Sequence, residues 1–315
     1  MKRSEFRSEA KTVRYPVYIL SKGRHDTALT PLAFDRMNIP YKLVVEPQEG
    51  DLYGNRFGHE RVITTPFSNL GQGGIPSRNF IWNLSRKNGD KRHWIIDDNI
   101  RRWHYLNRNV KTEVLCPAPF TATEDFVDRY ENVAIAGHEY SSFIPSQNGV
   151  RNPFRKNVRV FSSILLSSEP KYNDYEWLPR WNEDSKLSLD FLRDGHCSIL
   201  MLCFLAEKLA SMTGAGGNTS LYLDETDNRS EFVDELIERH PEYVSKQWKY
   251  DRWHMKFNYG ELRKNKLIRR ADFKLDDYGT NNYGMQLRER PGKMEGGWSP
   301  GDHLTHHVGE PRRDD

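Results

Sequence analysis

Short apolar runs alternate with amphipathic stretches through the first hundred residues. The runs have the length of buried strands, and the stretches repeat their apolar residues at helical spacing. Ser77 is the expected N-cap of one helix and Gly89 its expected end. We predict strands over 15–20, 41–46, 61–64 and 93–96, and helices over 27–37 and 78–87. Alternation of this kind is typical of α/β folds.

The pattern continues to about residue 270. Capping boxes at Thr121/Glu124 and Asn228/Glu231 support two of the later helices. We predict strands over 132–136 and 158–166, and helices over 124–131, 187–192, 201–211 and 229–239. Beyond 271 the chain is rich in Gly, Asn, Asp and Arg and loses periodicity. The pattern therefore predicts a flexible N-terminus over 1–14, one domain over 15–270, and a polar, disordered tail over 271–315.

Composition narrows the class of protein. The chain has 315 residues, of which 37% are hydrophobic and 29% charged, and the mean hydropathy is -0.81. The longest apolar stretch, 198–206, is too short to span a bilayer, and the N-terminus lacks the apolar segment of a secretory signal. The cysteines Cys116, Cys197 and Cys203 are scattered and odd in number, as expected of reduced thiols. We expect a soluble cytoplasmic protein; its oligomeric state is not defined by the sequence.

Basic and aromatic residues are interleaved in two stretches, 85–111 and 246–270, although the net charge is only +3. Basic side chains attract phosphate backbones, and aromatic rings stack on bases. The alternative is an ordinary solvated face over core aromatics. The candidate DNA contacts are Arg101, Arg102, Trp103, Lys249 and Lys256.

The most informative segment is 93–99, an apolar strand that ends in Asp97, Asp98 and Asn99. Ligands of open α/β sheets bind at the carboxyl ends of strands. Hard oxygen ligands suit Mg²⁺ or Mn²⁺, which in turn hold substrate phosphates. The alternative is a plain Asx turn or helix cap.

Other polar residues also follow predicted strands or begin helices. Lys22, Gly23 and Arg24 form a turn that suits an anionic ligand, Glu46 could bind a nucleoside, and Arg78 stands at a helix N-terminus that favours phosphate. Structural alternatives are a turn at Glu46 and a surface Arg78.

A second acidic pair, Glu183 and Asp184, precedes a predicted helix. Capping is the ordinary role of such a pair, but glycosyl transfer with inversion needs a general base. We expect Asp184 to be that base, with Glu183 as the second candidate. His254 could complete a metal shell or contact a diphosphate, although a lone His is more often structural.

These segments, in this order, resemble the TET-associated glycosyltransferase family, found in phages and in eukaryotes that modify DNA bases. The resembling segments lie at 18–24, 45–48, 75–79, 96–99, 182–184 and 252–254. The resemblance implies a GT-A fold, that is, a Rossmann-like mixed sheet flanked by helices, as in nucleotide-diphospho-sugar transferases. It implies a UDP-sugar donor, a divalent metal, and a hydroxymethylated pyrimidine of phage DNA, such as 5-hydroxymethylcytosine, as acceptor.

The resemblance also assigns roles to residues. It places the metal at Asp97, Asp98, Asn99 and His254. It implies a nucleotide-sugar site formed by Ser21, Lys22, Gly23, Arg24, Glu46, Arg78, Asn79, Asp97, Asp98 and Arg252.

Three rival functions fit parts of the pattern. A GT-A enzyme could act on a protein or glycan hydroxyl, and its activity would depend less on salt than DNA binding does. A non-catalytic nucleic-acid-binding module would use only the basic–aromatic stretches. A nucleotidyltransferase would release pyrophosphate instead of UDP.

Overall fold

The computed structural model describes residues 12–107, 109–144, 152–178, 182–209, 229–249 and 252–274, with the side chains of 229–232 and 252 left out. The chain divides into two units, 1–270 and 271–315, and the fold below is that of the first. The predicted N-terminus, tail and Asn228 cap lie wholly or largely outside the described residues.

The first half of the unit alternates strands and helices as the sequence pattern predicts, with one further helix, Gly50–Phe57, that the pattern does not predict. Its elements are β1 Val17–Leu20, α1 Thr30–Met37, β2 Lys42–Val45, α2 Gly50–Phe57, β3 Val62–Thr64, α3 Ile75–Asn88 and β4 Arg92–Asp97. The four strands pair in the parallel order β3-β2-β1-β4. Their carboxyl ends therefore lie at one edge of the sheet.

The second half extends the same sheet with antiparallel pairs. Its elements are β5 Ile100–Asn107, β6 Val110–Val114, α4 Ala118–Val127, β7 Val133–Tyr140, β8 Phe154–Lys156, β9 Ser163–Ser167, α5 Glu183–Arg193 and β10 Cys197–Lys208. The sheet order is β3-β2-β1-β4-β9-β7-β10-β5-β6, with β8 beside β10. Because β9 runs antiparallel to β4 and β7, the sheet is mixed. The prediction of a mixed α/β sheet flanked by helices is confirmed.

The last described part is a helix, α6 Arg229–Arg239, and a hairpin of β11 Val244–Lys249 and β12 Arg252–Phe257. The hairpin forms its own two-stranded sheet. Leu189 and Leu192 of α5 pack with Leu236 of α6 and Val244 of β11. This cluster joins the hairpin to the body of the unit.

Buried side chains cover both faces of the large sheet. Along β4, Trp94 and Ile96 belong to one hydrophobic cluster and Ile95 to the other. This alternation is the two-residue period of a strand. A strand buried on both faces reads as a continuous apolar run, which is how 93–96 appears in the sequence.

Several sequence predictions about elements are wrong. Residues 201–208 of the helix predicted over 201–211 are instead the end of β10, because an apolar run buried on both faces shows no strand alternation, and residues 210–211 lie outside the described residues. The strand predicted over 158–166 is β9 at Ser163–Ser167. Ser77 lies inside α3, which Gly74 precedes, and Thr121 lies inside α4. Within the described residues, no helix is both long and apolar enough to cross a membrane.

Candidate active site

The polar segments singled out in the sequence meet at the carboxyl edge of the parallel strands. Leu20 of β1 pairs with Asp97 of β4, and β2 continues into Glu46. Residues distant in sequence therefore become neighbours. Their side chains form a connected set of ion pairs rather than separate surface charges.

Asp97 binds two cationic side chains at once. Its Oδ1 accepts a hydrogen bond from Arg78 Nη2 at 2.9 Å, and its Oδ2 accepts from Lys208 Nζ at 2.9 Å and from Ser162 Oγ at 2.6 Å. Burial alone raises the pKa of Asp97, but the Lys208 and Arg78 charges outweigh burial and hold the pKa well below its ordinary value. Asp97 is therefore a permanent anion.

Asp98 points to the β1 side of the site. Its Oδ1 accepts from Arg24 Nη1 at 2.8 Å and its Oδ2 from Ser21 Oγ at 2.5 Å. Burial raises the pKa of Asp98 despite the Arg24 charge. The Asp98 carbonyl also accepts from the backbone N–H groups of Leu29 and Thr30. This contact fixes α1 against the end of β4.

Hydrogen bonds from the backbone of the turn after β1 to side chains at and just before the start of α2 fix the conformation of the turn. Glu49 Oε1 accepts from the Gly23 N–H at 2.6 Å, and Tyr53 Oη accepts from the Arg24 N–H at 3.0 Å. Gly23 has φ +65°, a left-handed conformation that favours glycine. Lys22 Nζ donates to Glu46 Oε1 at 2.7 Å. The predicted turn is thus present, with Lys22 and Glu46 paired to each other.

Arg78 is buried in the first turns of α3 and joins the two acidic clusters. Besides Asp97, its Nε lies 3.4 Å from Glu183 Oε1. Its guanidinium lies over the Trp177 ring, 5.0 Å from the centroid. Asn79 donates to the Trp177 carbonyl and accepts from the Trp177 N–H. Its amide therefore holds Trp177 in place beneath Arg78.

The acidic pair lies at the start of α5, where Asn182 has φ +55°. Burial, with Asp184 and Asp97 close by, raises the pKa of Glu183 to about 7, although Arg78 opposes the shift. Asp184 Oδ1 instead accepts from the N–H and hydroxyl of Ser185. The two candidates for the base therefore differ: Glu183 faces the site, whereas Asp184 is hydrogen-bonded to the start of its own helix.

The expected metal site does not fit this arrangement. Both Asp97 oxygens and both Asp98 oxygens already accept hydrogen bonds at 2.5–2.9 Å. A dication about 4 Å from the Lys208 ammonium would be repelled by about 8 kcal/mol at an effective dielectric constant of ~20. Asn99 Oδ1 is buried without a hydrogen-bond partner, but one amide oxygen does not make a shell.

His254 lies on β12 opposite Gln247, in the hairpin rather than at the sheet edge that carries the acidic motif. Among the described side chains, no group of three or more His, Cys, Asp or Glu could hold a metal ion. The metal shell expected at Asp97, Asp98, Asn99 and His254 is therefore not found there. The Arg252 side chain lies outside the described residues.

Sequence reasoning missed Lys208, Ser162 and Tyr140, which surround the Asp97 carboxylate. Lys208 also donates to Ser162 Oγ at 2.9 Å and to Tyr140 Oη at 3.3 Å. Ser162 has φ +57°, which is uncommon for a residue other than glycine and often marks a functional site. A charged residue ending an apolar run was a usable signal for Lys208, but the predicted helix at 201–211 hid it.

The candidate DNA contacts separate into core and surface residues. Trp103 is fully buried and stacks on Phe34 at 5.2 Å between ring centroids, so its prediction as a DNA contact is wrong. Arg101 is exposed and pairs with Glu207, and the half-buried Arg102 pairs with Glu113 and Glu207. On the hairpin, Lys249 and Lys256 are exposed. Trp248 is 54% exposed, a notable fraction for so large an apolar ring.

Comparisons with known proteins identify the family of this chain. A crystal structure titled "putative nucleotide-diphospho-sugar transferase", from Desulfovibrio desulfuricans G20, matches with 11% identity and a TM-score of 0.36, covering 72% of this chain and 99% of that one. Among curated protein sequences, none matches the chain. The family pattern described as TET-Associated Glycosyltransferase matches residues 15–217, which contain β1, β4, α5 and Lys208. The resemblance found in the sequence is confirmed, and the chain belongs to the TET-associated glycosyltransferase family.

Proposed function

We propose that this glycosyltransferase moves a sugar from a UDP-sugar to the hydroxymethyl group of a modified pyrimidine in DNA. The first candidate acceptor is 5-hydroxymethylcytosine in phage DNA, and the proposed location is the host cytoplasm. The observation that carries the proposal is the cluster of ion-paired side chains at the carboxyl edge of β1, β2 and β4. There, fixed cations adjoin a carboxylate, Glu183, that can accept a proton near neutral pH.

The donor site in this proposal lies along the ends of β1, β2 and β4. Arg24 and Arg78 are anchored by Asp98 and Asp97, so their charges are fixed before a ligand arrives. Fixed donors aimed at developing negative charge stabilise a leaving group without reorganisation. The Lys22–Glu46 pair lies next to this edge and is the candidate to contact the nucleoside.

In the transfer step, the acceptor hydroxyl oxygen attacks the anomeric carbon of the sugar. The bond from that carbon to the β-phosphate oxygen breaks, and its electron pair leaves with UDP. The hydroxyl proton goes to Glu183, our first candidate base, with Asp184 as the second. A base with a pKa near the working pH is the most effective. Attack opposite the departing UDP inverts the anomeric configuration.

The candidate DNA surface is the β11–β12 hairpin. Trp248 packs edge-to-face on Trp253 at 5.2 Å between ring centroids, which fixes an exposed aromatic side chain on one face of the hairpin. The strand register places Lys249 and Lys256 on the other face. Aromatic rings stack on bases and lysines bind phosphates. A hydroxymethylated base inside a duplex must leave the stack to react, and an exposed tryptophan can stack on the strand that is opened.

The test is a donor and acceptor screen. The purified chain is incubated with UDP-glucose and other UDP-sugars and with DNA that contains 5-hydroxymethylcytosine, 5-hydroxymethyluracil or unmodified cytosine. The DNA is then digested to nucleosides for mass spectrometry. We expect a mass increase of one sugar on a hydroxymethylated nucleoside only. No increase with any donor would contradict the acceptor, and release of pyrophosphate would contradict the reaction class.

A further inference from the structure

The acidic motif after β4 departs from what its sequence predicts, because side chains occupy the positions expected for a cation. Arg78 contacts Oδ1 of the Asp97 carboxylate and Lys208 contacts Oδ2, each at 2.9 Å. The Lys208 side chain is only 17% exposed and that of Arg78 only 7%. The two charges are therefore part of the interior of the site and not surface ion pairs.

The register of β10 places Lys208 there. Glu207 pairs with Arg102, but Lys208 pairs with Ile100, so the ladder shifts between the two residues. An irregularity of this kind at the end of a strand re-aims a side chain. Ser162 and Tyr140 then hold the ammonium against Asp97. Three partners from three separate elements fix one flexible lysine.

Arg78 has donor capacity that the protein does not use. Its Nη1 is buried and has no hydrogen-bond partner among the described residues, although Nη2 is bound to Asp97. A guanidinium is planar and always charged, and its remaining N–H groups match the geometry of a phosphate. An unused donor at the N-terminal part of a helix, where anions are favoured, points to an anionic ligand.

We infer that Arg78 and Lys208 supply the positive charge at the donor diphosphate, with Asp97 as their positioning residue, so that the enzyme binds UDP and transfers sugar without a divalent cation. The inference rests on the proposed UDP-sugar donor. Arg78 donates to phosphate oxygens through its unused N–H groups, and Lys208 acts as a fixed point charge beside them. Asp97 is then an anchor for both cations and not a metal ligand.

The first experiment uses the unaltered chain. Calorimetric titration with UDP is carried out in EDTA and in excess Mn²⁺, and uridine serves as the ligand without phosphates. We expect the two UDP dissociation constants to agree within about threefold, and uridine to bind more weakly by about tenfold or more. If Mn²⁺ lowers the UDP dissociation constant by about tenfold or more, the inference is overturned, whereas the proposal of a UDP-sugar donor still stands. Failure of UDP to bind in either buffer contradicts the donor, and the inference with it.

The second experiment tests the two cations and their anchor in the same titrations. Lys208→Met is expected to weaken UDP binding by about tenfold and to leave uridine binding unchanged, with Lys208→Arg closer to the unaltered chain. Asp97→Asn is expected to weaken UDP binding equally in EDTA and in Mn²⁺. A metal ligand at Asp97 predicts that the loss occurs only in Mn²⁺, and that result overturns the positioning role.

The matched control is Lys42→Met, at the opposite end of β2, whose Nζ donates only to the Glu60 carbonyl among the described residues. It is expected to bind UDP like the unaltered chain. Circular dichroism and thermal melting of each variant separate loss of binding from loss of fold. Sugar transfer in EDTA by the unaltered chain, once an acceptor is known, must persist; abolition by EDTA overturns the inference.

Discussion

At the scale of single residues, two adjacent carboxylates make different contacts. Glu183 adjoins Arg78 and is partly buried among other acids, whereas Asp184 binds the start of its own helix. The positive φ of Asn182 turns the chain into α5 and sets Glu183 toward Arg78. The two neighbouring carboxylates thus have different surroundings, and those of Glu183 raise its pKa.

The pH dependence of transfer follows from Glu183. A general base must be deprotonated to accept a proton. The pKa of Glu183, the proposed base, is raised to about 7. We expect kcat/KM to rise as the pH increases toward 7 and to level off above it, because the fraction of Glu183 carboxylate rises over that range. Rates measured from pH 5 to 9 check this, and a flat profile below 7 would contradict the assignment.

Glu183→Gln is expected to lower kcat by about a hundredfold or more, while UDP binding persists because the anchored cations remain. The Asp184→Asn variant is the paired comparison. We expect it to retain most activity, since Asp184 bonds Ser185. If Asp184→Asn instead loses activity and Glu183→Gln keeps it, the roles are reversed.

At the scale of elements, the sheet brings the site together through its register. Gly137 of β7 shows how closely the strands are packed there. A Cβ at this position would lie 2.1 Å from the Ser163 carbonyl oxygen of β9, a distance that no side chain can tolerate. The strands can therefore keep this spacing only with glycine at this position, and any side chain here forces the backbone to shift.

Gly137→Ala is expected to destabilise the protein by about 3 kcal/mol, at the upper end of overpacking costs, because the contact is with backbone. Gly74→Ala is the control: its Cβ would meet the flexible Leu20 side chain at 3.3 Å and Arg78 Nε at 3.7 Å, an ordinary van der Waals distance, and its backbone is helical. Its cost should stay below about 1 kcal/mol. Urea unfolding followed by circular dichroism measures both changes. Equal losses in the free energy of unfolding would contradict the close approach of Gly137 to the Ser163 carbonyl.

At the scale of the whole molecule, aromatic residues divide between the core and a candidate nucleic-acid surface. Trp103 and Trp248 occur in similar basic–aromatic stretches of the sequence. The first packs against Phe34 and Phe120 inside the sheet domain, and the second is 54% exposed on the hairpin. Only packing distinguishes their roles.

We expect Trp103→Ala to lower the free energy of unfolding by about 3–5 kcal/mol. Trp248→Ala should leave stability nearly unchanged and weaken binding of single-stranded DNA by about 1–3 kcal/mol. Fluorescence anisotropy with labelled DNA, next to urea unfolding, measures both quantities. Unchanged DNA affinity in Trp248→Ala would remove the hairpin from the proposed interface.

The sequence by itself determined the alternating first half of the fold except for α2, together with the ends of β1 and β4 and the family. Local patterns suffice for these because the strands there are short and their polar ends are marked by Gly23 and by the Asp97–Asn99 motif. Sequence also located Arg78 and the pair at Glu183 and Asp184, but it ranked Asp184 first. We prefer Glu183, and this preference depends on burial and on charges that are distant along the chain.

Only the tertiary structure decided what surrounds Asp97. Lys208 lies 111 residues away along the chain, in a run whose apolar character resembles a helix as much as a strand. Its place beside Asp97 follows from the pairing of β10 with β5 and from the shift at its last residue. The same acidic sequence motif can bind a metal ion or form ion pairs with basic side chains. Which of the two it does depends on the residues that contact its carboxylate oxygens, and folding brings those residues there from distant parts of the chain.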